Sequence, residues 1–424
     1  MWRLLALTVA AIAGAQEIAP ETLLLARIKV RAGENLRGLP NYTCLQTIER
    51  SWRGAASRKF ALRDVVRVEV ALANNREMFA WPGSDEFDER DITEMVSGGS
   101  IGNGVFALHA RSVFLGTGAT FQYLGERIRE GRRTIRYDYR VPRLMSGYTL
   151  RVRPREGIVG YEGSFWVDAD SLDLIWLEVR INDIPAHLPI ASGYELLRYE
   201  RVRISGAEFL LPAESETILT DLKGGTNRNL TRFSDCRQYA GESVIRFDEA
   251  PEDAGARRKG PELVNLPGEL EMELALETGV EAGVSAVGDM IRATVAREVR
   301  RKKELIVPKG AIVSGRILRL NRMEGFREPY WTAGVEFTRI EFGGKYAEFR
   351  ARMEAASARF PQATISSNGA TQRWTTMREP PPSNPRIGIL YMRGERPKLS
   401  AGFRTWWRTE STNPEEKKTT EEKK

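Results

Sequence analysis

Leu270, Met272, Leu274 and Leu276 alternate with Glu269, Glu271 and Glu273, and this period of two recurs along most of the chain. Successive side chains of a strand point to opposite faces, whereas a helix repeats every 3.6 residues, so the pattern predicts half-buried β-strands. Val66, Val68, Val70 and Leu72 repeat it against Arg67, Glu69 and Ala71, and Asn74-Asn75 can turn that strand back into Glu77 to Trp81. Further strands are expected at Phe121–Arg129 and Thr134–Val141 around Glu130-Gly131, and at Tyr148–Val152 and Gly160–Val167. After the polar turn Asp168–Ser171 come Asp173–Ile181, with Ile175, Leu177, Val179 and Ile181 on one face, then Leu196–Ile204, Glu214–Leu222 and Asn229–Tyr239. No long helical stretch separates these strands, so the sheet is expected to be antiparallel. Glu17–Val30, Asp91–Val96 and Val105–Phe114 read as short helices, and the glycines of residues 98–104 as a hinge, since no Lys-Ser/Thr follows them to make a phosphate loop.

At 424 residues the chain is long for one domain, and its 42% hydrophobic content supports globular cores. Residues 249–264, rich in Pro, Gly and charge, read as a linker between a body at 16–248 and a second domain at 265–409. That second domain centres on Gly288–Leu320: a strand with Ile291, Ala293 and Val295 inward, the basic run Arg297–Lys303 as a solvated loop, a Pro308-Lys-Gly310 turn, and another strand. Hairpin strands Gly334–Phe342 and Lys345–Met353, a Pro-rich loop at Arg373–Pro385, and closing strands Ile387–Met392 and Leu399–Arg408 complete it. One of Trp406 and Trp407 must face inward in a strand. Residues 410–424 read as a disordered charged tail.

The first fifteen residues combine a basic start at Arg3, the apolar run Leu4–Ile12 and small residues at Ala13-Gly-Ala15, the pattern of a secretory signal peptide. No later segment is apolar and long enough to span a bilayer as a helix, so no integral membrane span is expected in the mature chain, which is placed in the periplasm or outside the cell. In an oxidising compartment the two cysteines, Cys44 and Cys236, can form one bond or remain two buried thiols. Cys44 opens the first strand of the N-terminal body and Cys236 lies in its last, so a sheet closing around helices can bring them together, and a disulfide is the expectation.

The formal charge of +7, from 64 basic and 57 acidic side chains, is spread along the chain without the one-sided concentration of a nucleic-acid binder, and no nucleic-acid partner is expected. The only histidines, His109 and His187, lie in no metal-ligand spacing and beside no nucleophile elbow; His109 is read as a packed histidine at a surface edge. Asp168, Asp170 and Asp173 lack the Gly and terminal Glu of a calcium loop and read as an acidic turn. No catalytic residue, cofactor or metal site is assigned, and no enzyme activity is expected.

The strand Tyr161-Glu-Gly-Ser-Phe-Trp-Val-Asp168, turning into Leu174-Ile-Trp-Leu-Glu-Val179, resembles the lipoprotein-carrier superfamily of LolA-like half-barrels, which includes the RseB periplasmic sensors. The resemblance implies a curved antiparallel sheet wrapped on short helices around an apolar concavity. Gly288–Arg316 resembles the outer β-barrel of the TrbI family and implies a small β-barrel at 265–409. The fold expectation is therefore mostly β, a half-barrel followed by a barrel. The functional expectation is an envelope binding protein holding a lipid or a lipoprotein acyl chain; the alternative is a structural or sensory protein binding another envelope protein without lipid. The ligand-contacting residues and the oligomeric state are not assigned.

Overall fold

A computed structural model describes residues 19–73, 76–84, 87, 92–96, 99–101, 108–152, 154–239, 261–324, 328–356, 363–365 and 384–411. The stretches read from sequence as signal peptide, Asn74-Asn75 turn, most of the glycine-rich hinge, residues 249–260 of the linker, most of the Pro-rich loop and residues 412–424 of the tail lie outside them. The described chain is mostly β, with few helices.

Twelve strands belong to the N-terminal body: β1 (Tyr42–Arg53), β2 (Ala61–Ala73), β3 (Arg76–Ala80), β4 (Thr120–Arg129), β5 (Arg132–Val141), β6 (Thr149–Val152), β7 (Arg155–Ile158), β8 (Gly160–Asp168), β9 (Leu174–Asn182), β10 (Ile190–Ile204), β11 (Ala207–Asp221) and β12 (Thr226–Gln238). Ten of them form one antiparallel sheet in the order β3-β2-β1-β12-β11-β10-β9-β8-β5-β4, with β6 and β7 paired as a separate hairpin. The helices are α1 (Pro20–Arg37), α2 (Ile92–Met95) and α3 (Leu108–Leu115). Pro20 suits the first turn of α1, where its missing N–H costs nothing. The helix lies on the sheet through Ile28, Ala32 and Leu36, and Asp173 holds it there: Arg31 and Asn35 donate to one carboxylate oxygen at 3.0 Å, while Arg201 donates to the other.

The first and last strands of the body are neighbours, and Cys44 of β1 is bonded to Cys236 of β12, with Cα atoms 4.1 Å apart. Between the pairs Thr43–Arg237 and Leu45–Ser234 one residue of β1 faces two of β12; Asp235 takes a positive φ of 50° at this bulge.

A second bulge corrects the sequence reading of β9. Val167 pairs with Leu174 and Trp166 with Trp176, so Ile175 is the extra residue. It joins Trp166 and Trp176 in a small buried cluster away from the core that takes Leu177 and Val179. Strict alternation had placed Ile175 with those two.

In the C-terminal part Glu271–Leu276 pairs with Met290–Val295 and Arg404–Thr409, and Met290–Val295 pairs with Ile312–Met323, which continues to Tyr330–Phe342. The sheet curls until Gly388, on a strand paired with Tyr330–Phe342, faces Met353 and Trp407 from the far end of the strand order. Trp407 is buried against Phe337 and Trp406 is half-buried. Two expectations change here. Lys345–Met353 is two strands, Lys345–Glu348 and Ala351–Ala356, split where Phe349 turns into the core. The basic run forms part of a small hairpin, Val299–Arg301 with Glu304–Val307, whose turn residues Lys302 and Lys303 both have positive φ.

The two sheets share one continuous apolar cluster, with Val66, Val68 and Leu72 on one side and Val287 and Ile291 on the other. Backbone bonds cross between them, Arg67 N–H to Val287 O and Val287 N–H to Val65 O, each 2.8 Å.

Candidate functional site

The concave face of the N-terminal sheet brings together the residues with the most chemistry. Residues directly opposite in an antiparallel pair share a face. Glu195 of β10 pairs with Thr217 of β11, Thr217 with Asn229 of β12, Asn229 with Arg50 of β1, and Arg50 with Asp64 of β2. A polar row therefore crosses five adjacent strands. Arg50, Asp64, Glu195 and Asn229 are all buried.

A buried polar group is costly unless it is paired. Arg50 Nε and Nη2 each donate to one oxygen of Asp64 at 2.6 Å, a two-pronged contact that the planar guanidinium favours. Asn229 donates to the Ser100 carbonyl at 2.9 Å, which ties the 99–101 segment over the sheet. Thr217 donates to Glu195 Oε1 at 3.0 Å, and His109 Nε2 of α3 lies 2.9 Å from Glu195 Oε2. Both Glu195 oxygens are thus engaged within the chain, which suits a fixed anchor for α3. Burial pulls the His109 imidazolium down, but the charge and hydrogen bond of Glu195 more than offset this and hold its pKa above the ordinary value. The sequence reading of His109 as a surface-edge residue is therefore corrected: it is buried and ion-paired.

Toward β8 and β5 the face becomes apolar and aromatic. Phe114 of α3 meets Phe165 edge-on at 5.0 Å, Tyr137 stacks on Phe165, and Tyr148 packs against both Tyr161 and His109. Ser112 of α3 hydrogen-bonds the Tyr161 hydroxyl. Burial raises the pKa of the Tyr148 and Tyr199 hydroxyls, and the Glu195 charge pushes in the same direction, so these phenols stay neutral.

Two small cavities border the described part of the concave face. A cavity of about 20 Å³ lies between Tyr148, Val179, Ile181, Glu195, Thr217 and Leu219. A second of the same size lies under α1 and α3, lined by Ala32, Leu36, Ala110, Phe114, Leu174 and Tyr199. Each has room for about one water. The buried Tyr199 hydroxyl beside the second has no hydrogen-bond partner among the described residues.

The other residues weighed from sequence stand apart from this row. His187 is exposed, with Nε2 2.8 Å from the Glu156 carbonyl oxygen. Asp168 accepts from the backbone of Asp170 and Ser171 as a turn-former, whereas Asp173 faces α1. Among the described residues no cluster of three or more His, Cys, Asp or Glu is arranged to hold a metal. Sequence reasoning missed Arg50, Asp64, Glu195, Thr217 and Asn229. The available signal was charge at inward strand positions, with Arg50 in phase with Cys44 and Ile48, and Asp64 in phase with Val66 and Val68.

No family model matches the chain, and no curated protein matches it. Among solved structures, a domain assigned as an outer membrane lipoprotein-sorting protein from Vibrio parahaemolyticus overlaps 53% of this chain and 95% of its own, at 13% identity and a TM-score of 0.28. A DUF1329 family protein from Desulfovibrio piger overlaps 54% and 97%, at 12% identity and a TM-score of 0.30. The Mycobacterium tuberculosis lipoprotein LppX overlaps 51% and 96%, at 13% identity and a TM-score of 0.19.

Proposed function

We propose that the chain is an exported envelope binding protein whose N-terminal sheet holds an apolar chain, from a lipid or a lipoprotein, between its concave face and helices α1 and α3. One observation carries the reading: a continuous aromatic and aliphatic face, from Ile135 to Tyr199, is covered by helices α1 and α3 rather than by a second sheet. Eight-residue α3 is too short to be stable alone and keeps its place through packing and the His109–Glu195 contact. Displacing it would expose Phe114, Tyr161 and Phe165 to an incoming chain. Neither of these cavities, at about 20 Å³, can hold an acyl chain, so binding at either one requires that displacement.

The packing of α1 and α3 onto the sheet also supports a second reading, a structural or sensory protein that binds another envelope protein and no lipid. Native mass spectrometry of protein purified from its own envelope separates the two. An adduct of lipid mass supports the first. Lipid-free protein that also fails to take up a fluorescent fatty acid overturns it, and a co-purifying polypeptide then favours the second. Turnover of an envelope substrate would place the chain among hydrolases and overturn both.

The reading assumes export. Cleavage near Ala15 should leave a mature chain starting near Gln16, and exported protein that retains Met1 on N-terminal sequencing would exclude it. The same proposal takes residues 16–248 as the LolA-like unit and 265–409 as a TrbI-like barrel, joined by 249–264.

A further inference from the structure

The turns at the two ends of the N-terminal sheet differ in kind. At one end they are polar: Glu130-Gly131 between β4 and β5, Asp168–Ser171 between β8 and β9, and Ser205-Gly206 between β10 and β11. At the other end, where β5, β9 and β11 finish, the tips carry large apolar side chains in water. Leu144, in the single 3-10 turn after β5, is 95% exposed and its neighbour Met145 56%. Leu222, in the turn after β11, is 66% exposed, and Ile158, at the end of β7, 47%. Turns normally carry Gly, Asn, Asp, Ser or Pro, and nothing in tight-turn geometry calls for leucine or methionine.

The Arg143–Asp183 ion pair joins the Leu144 turn to the loop after β9, and hydrogen bonds tie that loop to the other tips as one rim. Arg155 of β7 donates to the His187 carbonyl, His187 meets the Glu156 carbonyl, and the Leu222 N–H reaches the Pro189 carbonyl. Around the apolar tips stand six exposed bases: Arg58, Lys59, Arg143, Arg151, Arg155 and Lys223. The acidic groups there are Glu156 beside Arg151, Asp183 beside Arg143, and Asp221, whose Oδ1 caps its own turn. The balance is positive. The cavity bounded by Tyr148, Ile181, Glu195 and Leu219 lies directly inside this rim.

We propose that this rim docks the half-barrel onto an anionic lipid bilayer, with Leu144, Met145, Ile158 and Leu222 entering the interface and the surrounding bases meeting lipid phosphates. Exposed apolar side chains gain by leaving water at the headgroup boundary, and bases beside them are attracted to a negative surface. An acidic protein would satisfy the bases but leave the apolar tips to a matching pocket. A bilayer satisfies both without one, and the charge pattern therefore favours it. The proposal deepens the reading of the concavity, because it names the surface from which an apolar chain would enter.

The test is flotation of the mature full-length protein with vesicles of phosphatidylcholine alone or mixed with phosphatidylglycerol. Binding is expected to the mixed vesicles, weakening as salt is raised. Leu144→Asp with Met145→Asp should lower the bound fraction at least about tenfold. Ile128→Asp, which alters a side chain 77% exposed near the opposite end, should leave binding unchanged. Thermal melts establish that each variant folds, and Leu222→Asp serves if the double variant does not. Failure of the wild type to bind the mixed vesicles, or equal binding by the rim variants, overturns the proposal, as does a rim variant that loses only an envelope protein. Vesicle binding by protein that never carries lipid would keep the docking rim and sink the acyl-chain reading; lipid-loaded protein that ignores vesicles would do the reverse.

Discussion

His109 Nε2 on α3 lies 2.9 Å from Glu195 Oε2 on β10, with both side chains buried. This contact joins the helix over the concavity to the middle of the sheet. Breaking a buried pair by removing one partner leaves the other uncompensated, at a cost of roughly 3–5 kcal/mol. The pair thus couples the closed position of α3 to the charge on one imidazole.

The contact makes stability depend on pH. The folded His109 binds its proton more tightly than the unfolded one, because Glu195 outweighs the effect of burial. A raised folded pKa contributes stability that is fully present below the unfolded value of about 6.5 and is lost as pH climbs through the folded value. The stability gap between wild type and His109→Gln should therefore shrink as pH is raised above about 6.5 in urea titrations. A gap that is constant or widens over that range would show that the pair does not titrate this way.

Arg50 and Asp64 offer a test of the polar row that leaves α3 aside. Their two hydrogen bonds of 2.6 Å are buried, so Asp64→Ala should cost roughly 3–5 kcal/mol. Arg50→Met combined with Asp64→Leu should recover most of that, since an apolar pair removes the stranded charge. Denaturant unfolding of the two variants decides; a double variant as unstable as the single one would mean the pair also holds the 99–101 segment in place.

Much of the fold could be read from alternation, because strands with one wet face show it plainly. Leu270 to Leu276 and Val66 to Leu72 are buried at the positions the period predicts. Alternation failed at bulges, where one extra residue reverses the phase. Ile175 is such a case, and its neighbours Leu174 and Trp176 are equally apolar, so no polar residue marked the change of face. The site was harder to read. His109 and Glu195 are 86 residues apart, and Arg50 and Asn229 are 179 apart. Only the strand order, which sets β12 between β1 and β11, brings these polar residues into one row. Nothing in the local composition around Arg50 specifies that order.

The Cys44–Cys236 bond closes a sequence separation of 192 residues. The chain-entropy model gives about 5 kcal/mol for a loop of that length, as an upper figure, since residual structure in the unfolded chain reduces it. Cys44→Ser with Cys236→Ser should lower unfolding stability by up to that amount. Reducing agent should have the same effect on the wild type and none on the double variant. Equal stability with and without reductant would show that the bond does not constrain the unfolded state.

The sharpest constraint on the junction between the sheets is at Gly288. Its φ of 104° suits glycine, and a Cβ there would stand 2.1 Å from the Arg67 carbonyl oxygen and 2.9 Å from Trp81 Cε3. Beside it Arg67 Nη1 contacts both oxygens of Asp289 at 2.8 and 2.7 Å, and Arg316 reaches the carbonyls of Pro82 and Gly288. The Arg67–Asp289 pair is partly exposed and contributes about 1 kcal/mol or less, but Asp289 Oδ2 also accepts from the N–H of buried Ala286 at 2.8 Å, so Asp289→Ala should cost about 2 kcal/mol. Gly288→Ala must both strain its backbone and push the sheets apart, and should cost about 2 kcal/mol or more. Protease cleavage between Pro251 and Pro261 should then give fragments that stay together on size exclusion in the wild type, held by the shared apolar cluster, and separate more readily in Gly288→Ala. Wild-type fragments that elute apart without denaturant would show that this junction is too weak to join the sheets once the chain between them is cut.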